Sequence, residues 1–369
     1  MKNGKVQIGI IGCGGIARQK HFPSLKLLSD KCEMVAFCDI IEERATKACE
    51  EYGTKGAKSY ADYKELLKDD SIDLVHVLTP NVSHCEISVA AFEAGKHVMC
   101  EKPMAASTED AKKMMDAWKK SGKKFTIGYQ NRFRPEVQML HKSVVAGELG
   151  KIYFAKAHAV RRRAVPTWGV FANKALQGGG PLIDIGTHAL DMTLWMMDNY
   201  DPQSLTGSVF FELGHLPQAT EGNMFGPWDP KTYEVEDSAF GMIKMKDGAT
   251  IFLEASWALN VAESREASTT LCGTLAGAEV YSGMKKGSDE VVFNRGHHGL
   301  LTEERLTESG AIAYFEGGSS DPGYKEAVQW LDAIINDTEP LVKPQQAFVV
   351  TQILDSIYRA AETGKEVVF

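Results

Sequence analysis

The β-branched run Val6-Gln7-Ile8-Gly9-Ile10-Ile11 passes directly into Gly12-Cys13-Gly14-Gly15-Ile16-Ala17, and a helical pattern from Ile16 to Leu28 follows. No other stretch limits the fold so strongly. A buried strand, a glycine turn and a helix in immediate succession form the opening of a dinucleotide-binding βαβ unit. Gly12 permits the tight turn, and Gly14 lets the backbone approach a pyrophosphate. Gly15 and Ile16 lead into the helix, whose unpaired N–H groups suit phosphate charge. Ala17 takes the third glycine position, where helix–strand packing needs only a small side chain. The spacing alone is common among glycine turns; its place between strand and helix makes it specific.

The pattern continues in kind. Glu33 to Cys38, Leu74 to Leu78, His97 to Cys100 and Lys124 to Gly128 read as further short strands. Helical stretches separate them, among them Glu42 to Tyr52, His84 to Ala94 and one from Thr108. Alternating strands and helices predict a parallel, doubly wound α/β sheet over residues 1–130, a Rossmann domain. After that point the rhythm changes. Lys151 to Val160 is one long strand, Lys246-Asp247-Gly248 joins two more as a hairpin, and Arg265 to Leu271 and Ala276 to Tyr281 look like another pair. Two helices, near Gly323 to Ile335 and Gln345 to Ala361, follow. Residues 131–369 are therefore expected to form an α+β domain with a largely antiparallel sheet, for substrate binding and self-association through that sheet.

Composition narrows the partners. A chain of 369 residues, 44% hydrophobic, can build two well-buried cores. Its net charge of -8 argues against nucleic acid. The 7 cysteines are scattered without a C-x-x-C pair, which fits reduced thiols in the cytoplasm. Neither a signal-peptide core nor a run of membrane-spanning length is evident.

Ligands of open α/β sheets bind beyond the carboxyl ends of the strands, and the residues there carry chemistry. Asp39 ends the second strand. Its carboxylate suits both adenosine ribose hydroxyls and would repel a 2′-phosphate, favouring NAD over NADP; it equally suits a helix N-cap. Thr79-Pro80-Asn81-Val82-Ser83-His84 follows another strand, placing Thr79 and Asn81 where the nicotinamide half of a dinucleotide would pass. His84 is a cofactor-side candidate or a packed histidine at a helix start. Glu101 and Lys102, a carboxylate beside an ammonium, stop the strand His97 to Cys100.

In the second domain, Gly178-Gly179-Gly180-Pro181 reads as a flexible loop before a helix from Leu182 to Met197. Residues four apart lie about 40° from each other around a helix, so Asp184 and His188 share a face, with Asp191 and Trp195 near the same stripe. An imidazole beside a carboxylate suits deprotonation of a substrate hydroxyl. It also suits a structural pair or half of a metal site, although no remaining ligand set is apparent and no metal is expected. Arg161-Arg162-Arg163 and Trp168 follow the long strand; Arg161 and Arg163 suit a substrate phosphate, and with Trp168 a neutral sugar or aglycone, or else a solvated strand end. The Gly/Pro-rich, aromatic stretch Gly214 to Tyr233 is long for a connection and suits a binding lid or interface arm.

The segments GCGGIA, TPNVSH, EKP, GYQNRF and GGGPLIDIGTH occur in this order over nearly the whole chain. The sequence resembles the glucose–fructose oxidoreductase, inositol dehydrogenase and rhizopine-catabolism family, Gfo/Idh/MocA. The combination is specific to that family, not to one substrate. The resemblance implies that Lys102, Asp184 and His188 form the catalytic centre, that Glu101 approaches the nicotinamide-side ribose, that Asn131 of GYQNRF joins the cofactor-binding set, and that Pro103 follows a cis peptide. It implies an NAD-dependent oxidoreductase that converts a secondary hydroxyl of a sugar, glycoside or cyclitol to a ketone, with C3 favoured for glycosides. His188 is the expected base and Asp184 its orienting partner; Lys102 as base is the alternative. A glycosidase using bound NAD transiently and a non-catalytic NAD-dependent sensor are the competing readings.

Overall fold

A computed structural model describes residues 1–281, 290–307 and 321–369. The chain divides into two units. One begins with Met1–Gln130 and takes in a later segment ending at Phe348; the other runs on from Asn131 and includes Val349–Phe369.

The first unit is built on six parallel strands: β1 (Val6–Ile11), β2 (Cys32–Cys38), β3 (Lys58–Tyr60), β4 (Leu74–Val77), β5 (His97–Cys100) and β6 (Phe125–Ile127), in the order β3-β2-β1-β4-β5-β6. All six residues of β1 and all four of β4 are buried, as befits strands covered on both faces. The order reverses at β1, and the loops after β1, β2, β4 and β5 carry Gly12, Asp39, Thr79 and Glu101. The expected helix from Ile16 is broken in two, a π-helical turn Ala17–His21 and an α-helix Phe22–Leu27. Pro23 has no N–H to give the Gln19 carbonyl, so a regular α ladder cannot run through it.

The sequence reading assigned the helix near Gly323 to the second domain. In the structure Pro322–Ile335 packs into the core of the first unit: Ala327, Trp330, Leu331 and Ile334 join Val6, Ile8, Phe22 and Leu25. Periodicity reveals that a helix has an apolar face, not which core that face covers.

The second unit is built on β7 (Ile152–Val160), β8 (Pro202–Phe210), β9 (Ser238–Met245), β10 (Thr250–Ser256), β11 (Arg265–Gly273), β12 (Gly277–Tyr281), β13 (Glu290–His297), β14 (Leu300–Thr307) and β15 (Val367–Val368), in the order β14-β13-β12-β11-β7-β10-β9-β8-β15. The sheet is antiparallel except where β10 runs parallel to β7. One face of β7 presents Ala155, Ala157 and Ala159, all fully buried, and these small side chains let the helix Thr187–Met197 lie against the sheet. His298 and Gly299, both at positive φ, make the two-residue turn between β13 and β14.

Candidate active site

At the end of β1, Gly12 has a φ of 98°, and a Cβ there would stand 2.5 Å from the Leu78 carbonyl oxygen. Only glycine makes this turn. Around Gly14 and Gly15 a Cβ would meet nothing within 4 Å, so their backbone faces open space. Ala17 is fully buried. Asp39 Oδ2 accepts from Cys13 N at 2.9 Å and Oδ1 from Ile41 N at 2.9 Å. The carboxylate thus ties the end of β2 to the glycine turn and to the start of the next helix, while each oxygen keeps lone-pair capacity for a hydroxyl. An open glycine backbone beside an anchored carboxylate fits a dinucleotide's pyrophosphate and ribose.

Beyond β4, Asn81 opens a single turn, Asn81–Ser83, and Ser83 and Thr79 share a hydroxyl–hydroxyl bond at 2.7 Å. His84 is buried, with Nδ1 2.8 Å from the Pro103 carbonyl oxygen and Nε2 2.9 Å from that of Thr79. The structure therefore gives His84 the task of joining the loops after β4 and β5. The Lys102–Pro103 peptide is cis. Lys102 is half-buried.

Glu101 is enclosed. Its Oε1 accepts from Lys20 Nζ at 2.7 Å and lies 2.9 Å from His21 Nε2, while Oε2 accepts from the Lys102 N–H at 3.1 Å. Lys20 also meets Glu326 at 2.7 Å. Burial pushes the Glu101 carboxyl up, but Lys20 and His21 outweigh it and hold the group well below the usual carboxylate range. Both Glu101 oxygens thus accept hydrogen bonds within this network. Lys20, His21 and Glu326 escaped the sequence reading; the one signal is the basic pair immediately before Phe22-Pro23.

In the second unit the first turn before the helix Thr187–Met197 is a π-helix, Leu182–Gly186, rather than regular α-helix. Such widened turns cluster at functional sites. From Pro181 to Met197, Asp184 and His188 are the two residues that are not buried. Trp257, itself fully buried, donates its indole N–H to Asp184 Oδ2 at 3.0 Å and fixes the carboxylate.

Asp191 and Trp195, expected on the same stripe, belong to the core instead. Asp191 receives Arg132 Nε at 2.9 Å and Nη2 at 2.5 Å, in a pair excluded from solvent. Trp195 stacks on His141 with centroids 4.0 Å apart. The next residue toward the first unit from Arg132 is Asn131, half-buried in the short turn Gln130–Phe133.

The glycine loop is not flexible as expected. A Cβ on Gly179 would stand 2.2 Å from the Tyr358 hydroxyl, and one on Gly180 2.4 Å from the Glu236 carbonyl oxygen. The Glu236 carboxylate accepts from Gly180 N (2.8 Å), Leu182 N (3.1 Å) and the Tyr358 hydroxyl (2.7 Å), capping the helix start from a distant segment. Neighbouring Asp237 accepts from Leu213 N and Gly214 N at 2.7 and 3.0 Å, anchoring the long loop.

Of the basic run, Arg161 is spent on Glu266 through Nε and Nη2 (2.6 and 2.5 Å), and Arg163 donates to Asn260 Oδ1 at 2.6 Å. Trp168 stays half exposed, at 51%. Among the described residues no group of three or more His, Cys, Asp or Glu side chains is arranged to hold a metal ion, and no helix is long and apolar enough to cross a membrane.

A family model described as an oxidoreductase family with an NAD-binding Rossmann fold matches residues 6–129, and the GFO/IDH/MocA C-terminal domain matches residues 137–279. The chain belongs to the Gfo/Idh/MocA family. It is an NAD-dependent oxidoreductase of that family. It is similar to the D-glucoside 3-dehydrogenase of Escherichia coli, 36% identical over 367 residues, covering 100% of this chain and 98% of that protein. The levoglucosan dehydrogenase of Pseudarthrobacter phenanthrenivorans is 30% identical over 68% of this chain and 67% of its own length. A solved levoglucosan dehydrogenase, in complex with NADH and levoglucosan, shares the fold with a TM-score of 0.82 at 21% identity, over 99% of each chain.

Proposed function

We propose that this Gfo/Idh/MocA member oxidises a secondary hydroxyl of a sugar or glycoside to the ketone, C3 favoured. The observation that carries the reading is the opening of Asp184 and His188 from an otherwise buried helix, with Asp184 fixed by Trp257. A buried helix exposes an acid–imidazole pair at a cost in packing, and a site for proton transfer accounts for it. The named activity of the D-glucoside 3-dehydrogenase supports the choice of carbon.

In this mechanism His188 takes the hydroxyl proton. Its Nδ1 is buried, so Nε2 is the nitrogen that receives it. Asp184 orients the imidazole and holds the adjacent hydroxyl, gripping a vicinal diol; in a gluco-configured ring, C3 has an equatorial hydroxyl neighbour on each side. The Lys102 ammonium stabilises negative charge on the reacting oxygen. Gly12, Gly14, Gly15, Ile16, Ala17 and Asp39 hold the dinucleotide, with Thr79 and Asn81 toward its nicotinamide half. The chemistry NAD⁺ supplies when bound is hydride acceptance.

Self-association uses the uncovered face of the second unit's sheet. Phe252, Met242 and Phe210 are exposed there, and Phe154 packs edge-on against Phe252 at 5.2 Å. The seven cysteines are all free thiols, which supports a reducing, cytoplasmic setting. The deciding experiment incubates purified protein and NAD⁺ with glucosides, free hexoses and inositols, follows NADH, and assigns the product by NMR. A 3-keto glucoside is expected. A lactone, or an inosose as the sole product, overturns the choice of substrate, and hydrolysis without NADH release overturns the reaction.

A further inference from the structure

Thr167 and Asn223 spend their polar side chains on the backbone of this region, while the Trp168 rings remain exposed. Trp168 stands edge-on to Phe225, with centroids 4.7 Å apart at 88°, and to Phe171 at 6.0 Å. Phe171 in turn meets Trp257 at 6.3 Å, and Trp257 holds Asp184. A line of aromatic rings therefore leads outward from the carboxylate placed at the reacting diol. At its outer end Trp168 is 51% exposed, Met224 57% and Phe225 36%.

The surface is pre-built from two segments. Asn223 Oδ1 accepts from Val165 N at 2.8 Å, its Nδ2 reaches the Val165 and Gly226 carbonyls, Met224 N donates to Arg163 O at 3.1 Å, and the Thr167 hydroxyl donates to Phe225 O at 2.7 Å. The backbone is stitched and the local donors are used. Arg161 is neutralised by Glu266, and Arg163 is held by Asn260.

We infer that Trp168, Phe225 and Met224 form an aglycone subsite for an uncharged aryl or long alkyl group on a glycoside. The inference rests on the glycoside-oxidation reading and adds the class of group carried at the anomeric position. A second sugar needs hydroxyl partners that Asn223 and Thr167 have already committed. A sugar phosphate would find Arg161 neutralised by Glu266 and the Arg163 guanidinium already donating to Asn260 and the Arg162 carbonyl. An aryl ring needs only faces and edges, which the exposed rings provide.

The test compares kcat/KM for phenyl and methyl glucosides, using the ratio within each protein so that a poorly folded fraction cancels. A phenyl preference of about tenfold is expected, of the size that one added ring contact confers. Phe225→Ala and Trp168→Ala should bring the ratio near one, and Phe225→Tyr should keep it. A wild-type ratio near one, a preference that survives both alanine variants, or a stronger preference for a disaccharide or glucose 6-phosphate overturns the subsite. If no glycoside yields NADH, the oxidation reading fails separately. Calorimetric titration with phenyl glucoside then decides the subsite alone: binding that Phe225→Ala abolishes supports it, and no binding overturns it.

Discussion

His21 and His76 meet through their Nδ1 atoms, 3.2 Å apart, inside the first unit. His21 gives its Nε2 proton to Glu101, so in its neutral form its Nδ1 is the acceptor and His76 Nδ1–H the donor. Burial lowers the pKa of each, outweighing the pull of Glu101 on His21, while neighbouring His21 and Lys20 lower His76 further. An unfolded histidine titrates near 6.5, so below that value the unfolded chain takes up protons that the folded one refuses, and stability falls as pH falls. Glu101 works in the same direction at lower pH. Its folded pKa is depressed, so its contribution is present above the ordinary carboxylate value of about 4.3 and is lost below it. Thermal midpoints measured from pH 8 to pH 5 should decline below about 6.5, and His76→Phe should flatten that slope. An unchanged slope removes His76 from this account. At the same scale, His188→Ala and Lys102→Met should each lower kcat by roughly 10² to 10⁴-fold while calorimetric NAD⁺ affinity changes little. Near-normal turnover in His188→Ala would make Lys102 the base. That Asp184 and His188 fall together at the open positions of their helix was legible because helical spacing is local. The enclosure of Glu101 was not, since Lys20 comes from 81 residues earlier in the chain and is itself held by Glu326, 225 residues beyond Glu101.

Among the elements, the turn entering the helix Thr187–Met197 is tightly constrained. Glu236 caps it, and Gly179 and Gly180 leave room for Tyr358 and the Glu236 backbone. Gly180→Ala must displace a carbonyl rather than a flexible side-chain tip, so a loss of about 1–3 kcal/mol is expected in urea titrations, with a fall in kcat. Glu236→Gln keeps the shape but weakens the charge-assisted cap and should cost less. A run of three glycines reads as freedom in a sequence, and here it is the mark of crowding. Other elements escaped for a related reason. β8, β13 and β14 carry polar and apolar residues without a clean turn signal at each end, and their identity comes from the neighbours they pair with. The parallel pairing of β7 with β10 is likewise a long-range fact. Five of the six Rossmann strands were readable because each is a short, largely apolar run stopped by its own loop, whereas β3, Lys58–Tyr60, has no apolar run to mark it and escaped.

For the molecule as a whole, the uncovered sheet face predicts assembly. Phe252→Glu should shift the protein toward monomer in sedimentation, whereas a charge on exposed Leu27, which lies in the other unit, should not. An unchanged assembly state would move the interface elsewhere. The helix Pro322–Ile335 has a different consequence, one that concerns how the protein is made. The strands of the nucleotide-binding sheet leave the ribosome first, yet Trp330 and Leu331, which complete their core, come about two hundred residues after Gln130. At 5–20 residues per second the early strands wait roughly 10–40 s with Val6, Ile8 and Phe22 lacking their cover. Nascent chains arrested before residue 320 should therefore stay protease-sensitive across the first 130 residues, and chains arrested after the whole of Pro322–Ile335 has emerged should become resistant there. Resistance in the shorter chains would show that the sheet closes without that helix. Synthesis order then leaves NAD binding among the last abilities the chain acquires, although its glycine turn is among the first residues made.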